Sequence, residues 1–167
     1  SDTCQGWVTA IAATYPAAIK AADALNVEYI AGDTANVTEA MIQAEGERIV
    51  RDRNEGMLFK DHGNVSTAQR DAKTVIEATY TTATASHFQL EPLNALVEFK
   101  GDTCHIHTGC QWQSLSIPTL AKAAGVSEDK LKMHQYFLGG GFGRRLFADW
   151  AVPAILTAKA IGKPVKL

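Results

Sequence analysis

Nowhere in the chain does an apolar run approach the roughly 18 residues that a membrane-spanning helix needs. Positive charge is not in excess: 16 Lys and Arg stand against 18 Asp and Glu, a net charge of −2, and no basic stripe appears. No nucleic-acid partner is therefore expected. Cysteine is scarce, with only Cys4, Cys104 and Cys110. An odd and sparse set argues against a disulfide framework but leaves the compartment open. No signal peptide is visible in these residues, and the first residue is Ser1 rather than Met. Ser1 and the closing "KPVKL" read as cut ends, so the 167 residues are expected to be a piece of a longer chain. What is present is ordinary globular material, 46% hydrophobic and 20% charged. Much of it is alanine and β-branched residues. That composition suits an α+β fold of mixed sheet and helices.

The expected elements follow from periodicity. "WVTAIAA" (7–13) and "VEYI" (27–30) read as strands around a helix that Thr14 caps and Pro16 opens. Thr38 is the expected N-cap of a second helix, which Gly46 weakens by ~1 kcal/mol relative to alanine. Between Gly56 and Gln69 the pattern fades into polar residues and glycines, which marks the expected domain boundary. "TVIEATYTTA" (74–83) alternates as a strand should. "NALVEFKGDTCHIHTG" (94–109) reads as a hairpin turning at Lys100-Gly101-Asp102. A helix over 116–125 follows, with Ser114 or Ser116 as cap and Gly125 past its end. A strand through "MHQYF", a helix starting near Asp149–Val152 and closing at Gly162, and a last strand at "PVKL" complete the reading.

The chemistry concentrates where that strand ends. Four glycines fall within positions 139–143, followed by Arg144 and Arg145, and a helix begins soon after. Glycine permits positive φ and lets backbone amides approach a ligand closely. Consecutive amides form anion-binding concavities, and a helix N-terminus adds positive potential. Two readings stand: an anion or cofactor loop, or a tight turn whose arginines pair with acids. Nucleotide binding is disfavoured. Gly139, Gly141 and Gly143 give G-x-G-x-G rather than G-x-G-x-x-G, and the loop ends in Gly143-Arg144-Arg145 rather than G-K-[ST].

Other clusters are weaker. Cys104, His105, His107 and Cys110 crowd one segment. On a strand His105 and His107 share one face and Cys104 takes the other, and the spacing lacks paired C-x-x-C. No metal ligand is assigned. His87 and Glu91 lie four apart, but Pro92 biases Glu91 to extended structure, which favours a polar turn. Trp112 and Trp150 are expected in a core or interface.

Two segments together carry a resemblance: "ASHFQLEPLNALVEF" (85–99) and "LGGGFGRRLFADWAVPAILTAKAIGKPVKL" (138–167). With the intervening "TGCQWQSLSIPTLAKAAGVSEDKLKMHQ", they resemble the molybdenum hydroxylases of the xanthine dehydrogenase and aldehyde oxidase family. The similarity is greatest to the large (β) subunits of bacterial isoquinoline 1-oxidoreductases and aldehyde dehydrogenases. The resemblance implies the end of an α/β hammerhead domain over residues 1–65, with its connecting helix. Residues 66–167 would then be the first part of a molybdopterin-binding domain.

The resemblance further implies a molybdopterin cytosine dinucleotide cofactor in the full-length protein and an iron–sulfur small subunit that takes the electrons to an acceptor. The substrate would be a small aldehyde or N-heterocycle, hydroxylated with oxygen from water. The cofactor-binding residues it implies are Gly140, Gly141, Phe142, Gly143, Arg144 and Arg145, with Phe142 at the family's cofactor contact. Leu146 stands where the purine enzymes carry a substrate-orienting glutamate, so purine recognition is not expected. The family's catalytic glutamate lies far toward the C-terminus, so no catalytic residue is assigned here. The chain alone is expected to be inactive, to hold no cofactor, and to self-associate through uncovered apolar surface. A periplasmic or membrane-associated setting fits the resemblance. The alternative is a non-catalytic α/β domain whose glycine loop binds a phosphate or acidic ligand.

Overall fold

The computed structural model describes residues 6–52 and 55–167. It divides into two compact units: the chain up to Asn26 with Ser86–Leu167, and Val27–Ala85. The sequence boundary near residue 65 falls inside the second unit. Among the described residues no helix is long and apolar enough to cross a membrane.

The first unit is built on a four-stranded mixed sheet, in the order β3-β2-β1-β4. Its strands are β1 (Leu96–Lys100), β2 (Thr103–Thr108), β3 (Leu131–Gln135) and β4 (Val165–Lys166). β1 and β2 form the expected antiparallel hairpin, with Val97 opposite Ile106, and Gly101 takes the positive φ of 62° that its turn requires. β2 and β3 run parallel, and β4 pairs antiparallel with β1. A parallel pair needs a crossover, and here it contains a helix.

Numbered in chain order, the helices of this unit are α1 (Tyr15–Asp23), α4 (Gln113–Ala124) and α5 (Ala151–Ile161). Alternation along the strands sends Val97, Cys104 and Ile106 to one face, where α4 contributes Leu120, Ala121 and Ala124. α5 adds Ala154, Ile155 and Ala158 to the same core. Small alanines let the helices sit close to the sheet. Gly125 and Gly162, both left-handed, close α4 and α5 as expected. α4 starts earlier than its proline and serines suggest. Its cap position is Trp112, and Pro118 lies inside it. The buried Ser116 Oγ lies 3.0 Å from the Trp112 carbonyl and 3.1 Å from that of Leu146, so this serine ties the helix to a later segment instead of capping it.

The second unit holds α2 (Glu39–Arg51) and α3 (Val65–Asp71). Thr38 caps α2 as expected, its Oγ1 accepting from the Met41 amide at 3.3 Å. α3 corrects the view of Gly56–Gln69 as patternless: Asn64 Oδ1 accepts from the Thr67 amide at 2.8 Å and starts a short helix there.

Three expected strands are absent among the described residues: 7–13, 27–30 and 74–83 have no ladder partners. Their β-branched residues fit a half-buried pleated surface, but nothing here supplies the neighbouring strand that makes one. Ile30 and Ile76 remain 95% and 90% exposed.

Candidate functional site: the glycine loop

The segment between β3 and α5 carries the loop. Gly140 and Gly143 have φ of 104° and 86°, so a side chain at either position is strained whatever the space. Gly139 and Gly141 are needed for a different reason. A Cβ on Gly139 would run into the Glu91 Cβ, and one on Gly141 would stand 2.6 Å from Gln111 Oε1. Phe142 sits at φ 51°, unusual for a bulky residue, and is 66% exposed.

Polar side chains from elsewhere hold this shape. Gln111 Oε1 accepts from the amides of Gly143 (3.1 Å) and Arg145 (3.2 Å), and the Gln111 amide donates to the Arg145 carbonyl at 2.8 Å. The Gln89 carboxamide donates weakly to the Gly141 carbonyl at 3.4 Å. Glu91 grips Gly139 twice. Its carboxylate accepts the Gly139 amide at 2.8 Å, and its own amide donates to the Gly139 carbonyl at 3.2 Å. The Gly139 amide, then Asn94 and Arg145, hold the Glu91 carboxyl below its ordinary pKa.

Three consecutive amides are left over. The N–H groups of Gly140, Gly141 and Phe142 make no hydrogen bond among the described residues. Adjacent unpartnered amides in a glycine turn form a concavity suited to an anion. The Gly143 amide is already taken by Gln111.

Both arginines are committed within the chain. Arg144 makes a two-pronged pair with Asp149 at 2.6 and 3.1 Å, which raises its pKa. Arg145 is fully buried. Its guanidinium donates to the carbonyls of Glu91 (2.7 Å) and Gly109 (3.4 Å), and Nη2 lies 3.1 Å from the Glu91 carboxylate. Both guanidinium carbons lie about 6 Å from the Trp150 ring centre, at 5.8 and 6.0 Å. Trp150 is buried, its indole N–H 3.1 Å from Thr108 Oγ1 and 3.2 Å from the Asn94 carbonyl, whereas Trp112 is exposed.

His87 lies beside the loop, with Nε2 3.9 Å from where a Gly143 Cβ would stand. It makes no hydrogen bond to Glu91, so the two do not form an acid–base pair. The cysteines Cys104 and Cys110 are buried and free, and burial pushes the Cys104 thiol up to about 11. His105 and His107 lie on the opposite face of β2, stacked with His134 of β3 at ring distances of 5.2 and 4.2 Å. Among the described residues no group of three metal-ligating side chains converges. Sequence reasoning gave no role to Gln111 or Gln89, weighed Glu91 only with His87, and used Asp149 only as a helix start. The signal for Glu91 was its proline neighbour inside a quoted motif, and for Gln111 the turn that ends β2.

Comparison with known proteins shows the family. The family model described as the molybdopterin cofactor-binding domain matches residues 49–167. The chain belongs to that family. A molybdopterin cofactor-binding domain is thus what the glycine loop, β1–β4, α4 and α5 build in part. A membrane-bound aldehyde dehydrogenase [pyrroloquinoline-quinone] of Gluconacetobacter polyoxogenes is 48% identical over the whole chain, which spans 22% of that relative's length. The aldehyde oxidoreductase molybdenum-binding subunit PaoC of Escherichia coli K12 is 31% identical over 74% of the chain and 17% of its own. The isoquinoline 1-oxidoreductase subunit beta of Brevundimonas diminuta is 38% identical over 47% of the chain and 10% of its own. Among solved structures, quinoline 2-oxidoreductase from Pseudomonas putida 86 shares the fold. It has a TM-score of 0.51 at 19% identity, over 62% of this chain and 14% of that one.

Proposed function

We propose that the glycine loop seats the anionic part of a molybdopterin cofactor, in its cytosine dinucleotide form, against the amides of Gly140, Gly141 and Phe142. The observation that carries this is the row of three unpartnered amides, held by a cradle that a Cβ at Gly139 or Gly141 would fill. Oriented amides stabilise negative charge without reorganising when it arrives. Of the six residues the resemblance implies, Gly143, Arg144 and Arg145 act through the loop's shape, because their donors are already engaged.

The parent enzyme is a large subunit that hydroxylates an aldehyde or N-heterocycle, and an iron–sulfur small subunit carries electrons away. When bound, the cofactor supplies the metal centre that transfers oxygen from water to an electron-poor carbon. This chain's own residues seat and orient it. Leu146, apolar, gives no carboxylate for orienting a purine. Residues 1–65 correspond to the end of a hammerhead-like domain with its connecting helix, and 66–167 to the start of the cofactor domain. Both carboxylates that touch the loop, Glu91 and Asp149, are paired with arginines, so neither is free to act as a base. The isolated chain is therefore expected to be inactive and metal-free.

A second anion shares this chemistry. The 48% identical relative carries pyrroloquinoline-quinone in its name, and a tricarboxylate would also suit three amides. Elemental and nucleotide analysis of the intact subunit separates the two. Equimolar molybdenum and cytidine monophosphate, both lowered by Gly141→Ala, is the expected result. Quinone absorbance without molybdenum would overturn it.

A further inference from the structure

We propose that Glu91 is the positioning residue of the glycine loop, tying its first residue to the residue just past its end. The inference rests on the loop being the cofactor seat. One carboxylate oxygen, Glu91 Oε2, accepts the Gly139 amide at 2.8 Å and lies 3.1 Å from Arg145 Nη2. Gly139 opens the loop, and Arg145 follows its last glycine by two positions. The Glu91 amide adds a bond to the Gly139 carbonyl, and its carbonyl accepts from Arg145 at 2.7 Å. Main chain and side chain of one residue therefore hold both ends of the segment that bears the three unpartnered amides.

The carboxylate suits this task better than any neutral group. Arg145 has no exposed surface, so its charge needs a partner inside the chain. The other oxygen, Oε1, accepts from Asn94 Nδ2 at 3.2 Å, which fixes the carboxylate plane. Asn94 is itself held by the Pro92 carbonyl at 2.9 Å. Arg145 is the one charged group facing Glu91 among the described residues. Glu91 is committed to Gly139, Asn94 and Arg145 in this arrangement. It acts through Gly139 and Arg145 on the amides between them.

The position makes a prediction with an unusual sign. Glu91 is a negative charge beside an anion seat. By Coulomb's law alone, Glu91→Gln strengthens anion binding. If Glu91 positions the loop, the same change weakens it, because a carboxamide puts an N–H where Asn94 or Arg145 already donates.

The test uses the full 167-residue chain, followed by backbone amide NMR, with molybdate as the anion probe. The Trp150 indole signal reports that the core is intact. Molybdate is expected to shift the Gly140, Gly141 and Phe142 amides in the natural chain. Glu91→Gln is expected to weaken that binding about tenfold, the usual scale for a supporting residue one step from a ligand. Unchanged or tighter binding overturns the positioning role. A second measurement reads the tie without the anion. The Gly139 amide is expected to shift as Glu91 is protonated below the ordinary carboxylate range, and to lose this response in Glu91→Gln. A Gly139 amide insensitive to acid also overturns the role. If molybdate leaves all three amides unmoved while Gly139 still titrates with Glu91, the tie stands and the cofactor seat falls.

Discussion

A guanidinium without exposed surface must place its charge and its N–H groups inside the protein, and Arg145 does so at two separate turns. Its donors reach the Glu91 and Gly109 carbonyls, with the Glu91 carboxylate beside them, while Nε has no partner among the described residues. Arg145→Met keeps the bulk and removes all of this. The expected loss is about 2–3 kcal/mol by chemical denaturation, less than the 3–5 typical of a fully buried pair because Glu91 is partly exposed. Gly139→Ala tests the opposite fault, too much volume. Its Cβ meets the Glu91 Cβ, which cannot swing away as a side-chain tip can, so about 1–3 kcal/mol is expected with loss of the Gly139 tie. Acid should act on the same joint. The Glu91 pKa is lowered in the folded chain, so its contribution is present above the ordinary carboxylate range and is lost as pH falls through the folded value. That the arginines pair with acids was one of two readings of the sequence, but which acids they meet was not legible. The glycines announced an unusual backbone, but Glu91 and Gln111 meet the loop across 48 and 32 residues, and only the fold brings them there. Arginine next to a glycine run reads either as a ligand hand or as a partner for acids, and burial turned Arg145 inward to Glu91.

Elements were legible where their stabilising partners are close in sequence. The β1–β2 hairpin carries its own partner strand two residues away, and α5 carries its apolar alanines and its Gly162 stop. The segments at 7–13, 27–30 and 74–83 have strand chemistry but no ladder, and a strand is defined by a partner that local pattern does not specify. β3 shows what pairing adds. Its parallel register with β2 sets His134 opposite His107, and with His105 they form a stack that no single strand displays. His105 Nδ1 and His134 Nε2 are 2.9 Å apart, His107 Nδ1 is 3.1 Å from Tyr136 Oη, and Glu98 and Lys100 of β1 flank the cluster. Desolvation first, then His107 and His105, lowers the His134 pKa. A histidine lowered on folding binds its proton more readily when unfolded. Stability is therefore unaffected well above the usual value of 6.5 and falls as pH drops below it, levelling off under the folded value. His134→Gln should flatten that part of the pH–stability curve, and an unchanged slope would count against the stack. The core beneath obeys ordinary packing. Ile155 is fully buried between α5 and the sheet, and Ile155→Ala should cost about 2–5 kcal/mol in urea unfolding.

At the scale of the whole molecule, apolar surface is divided unevenly. The sheet and α4 and α5 bury a continuous core, whereas Ile30, Phe59, Ile76, Tyr80 and Phe137 stand almost fully exposed. Single exposed apolar residues are normal, but a chain with many of them has an unmet demand for burial. The chain spans 22% of the length of its 48% identical relative. Copies of the 167-residue chain are expected to cover one another's apolar residues. Sedimentation velocity should therefore show weight-average mass rising with concentration. The driving contact is apolar, so raised salt should leave it intact or strengthen it, because sulfate favours burial. Charge is a poor competitor as the cause. The net charge of −2 is small, and surface ion pairs such as Arg51–Glu47 weaken as salt screens them. A mass that stays monomeric at every concentration would overturn apolar self-association, and a mass that falls with salt would assign the contact to charge instead.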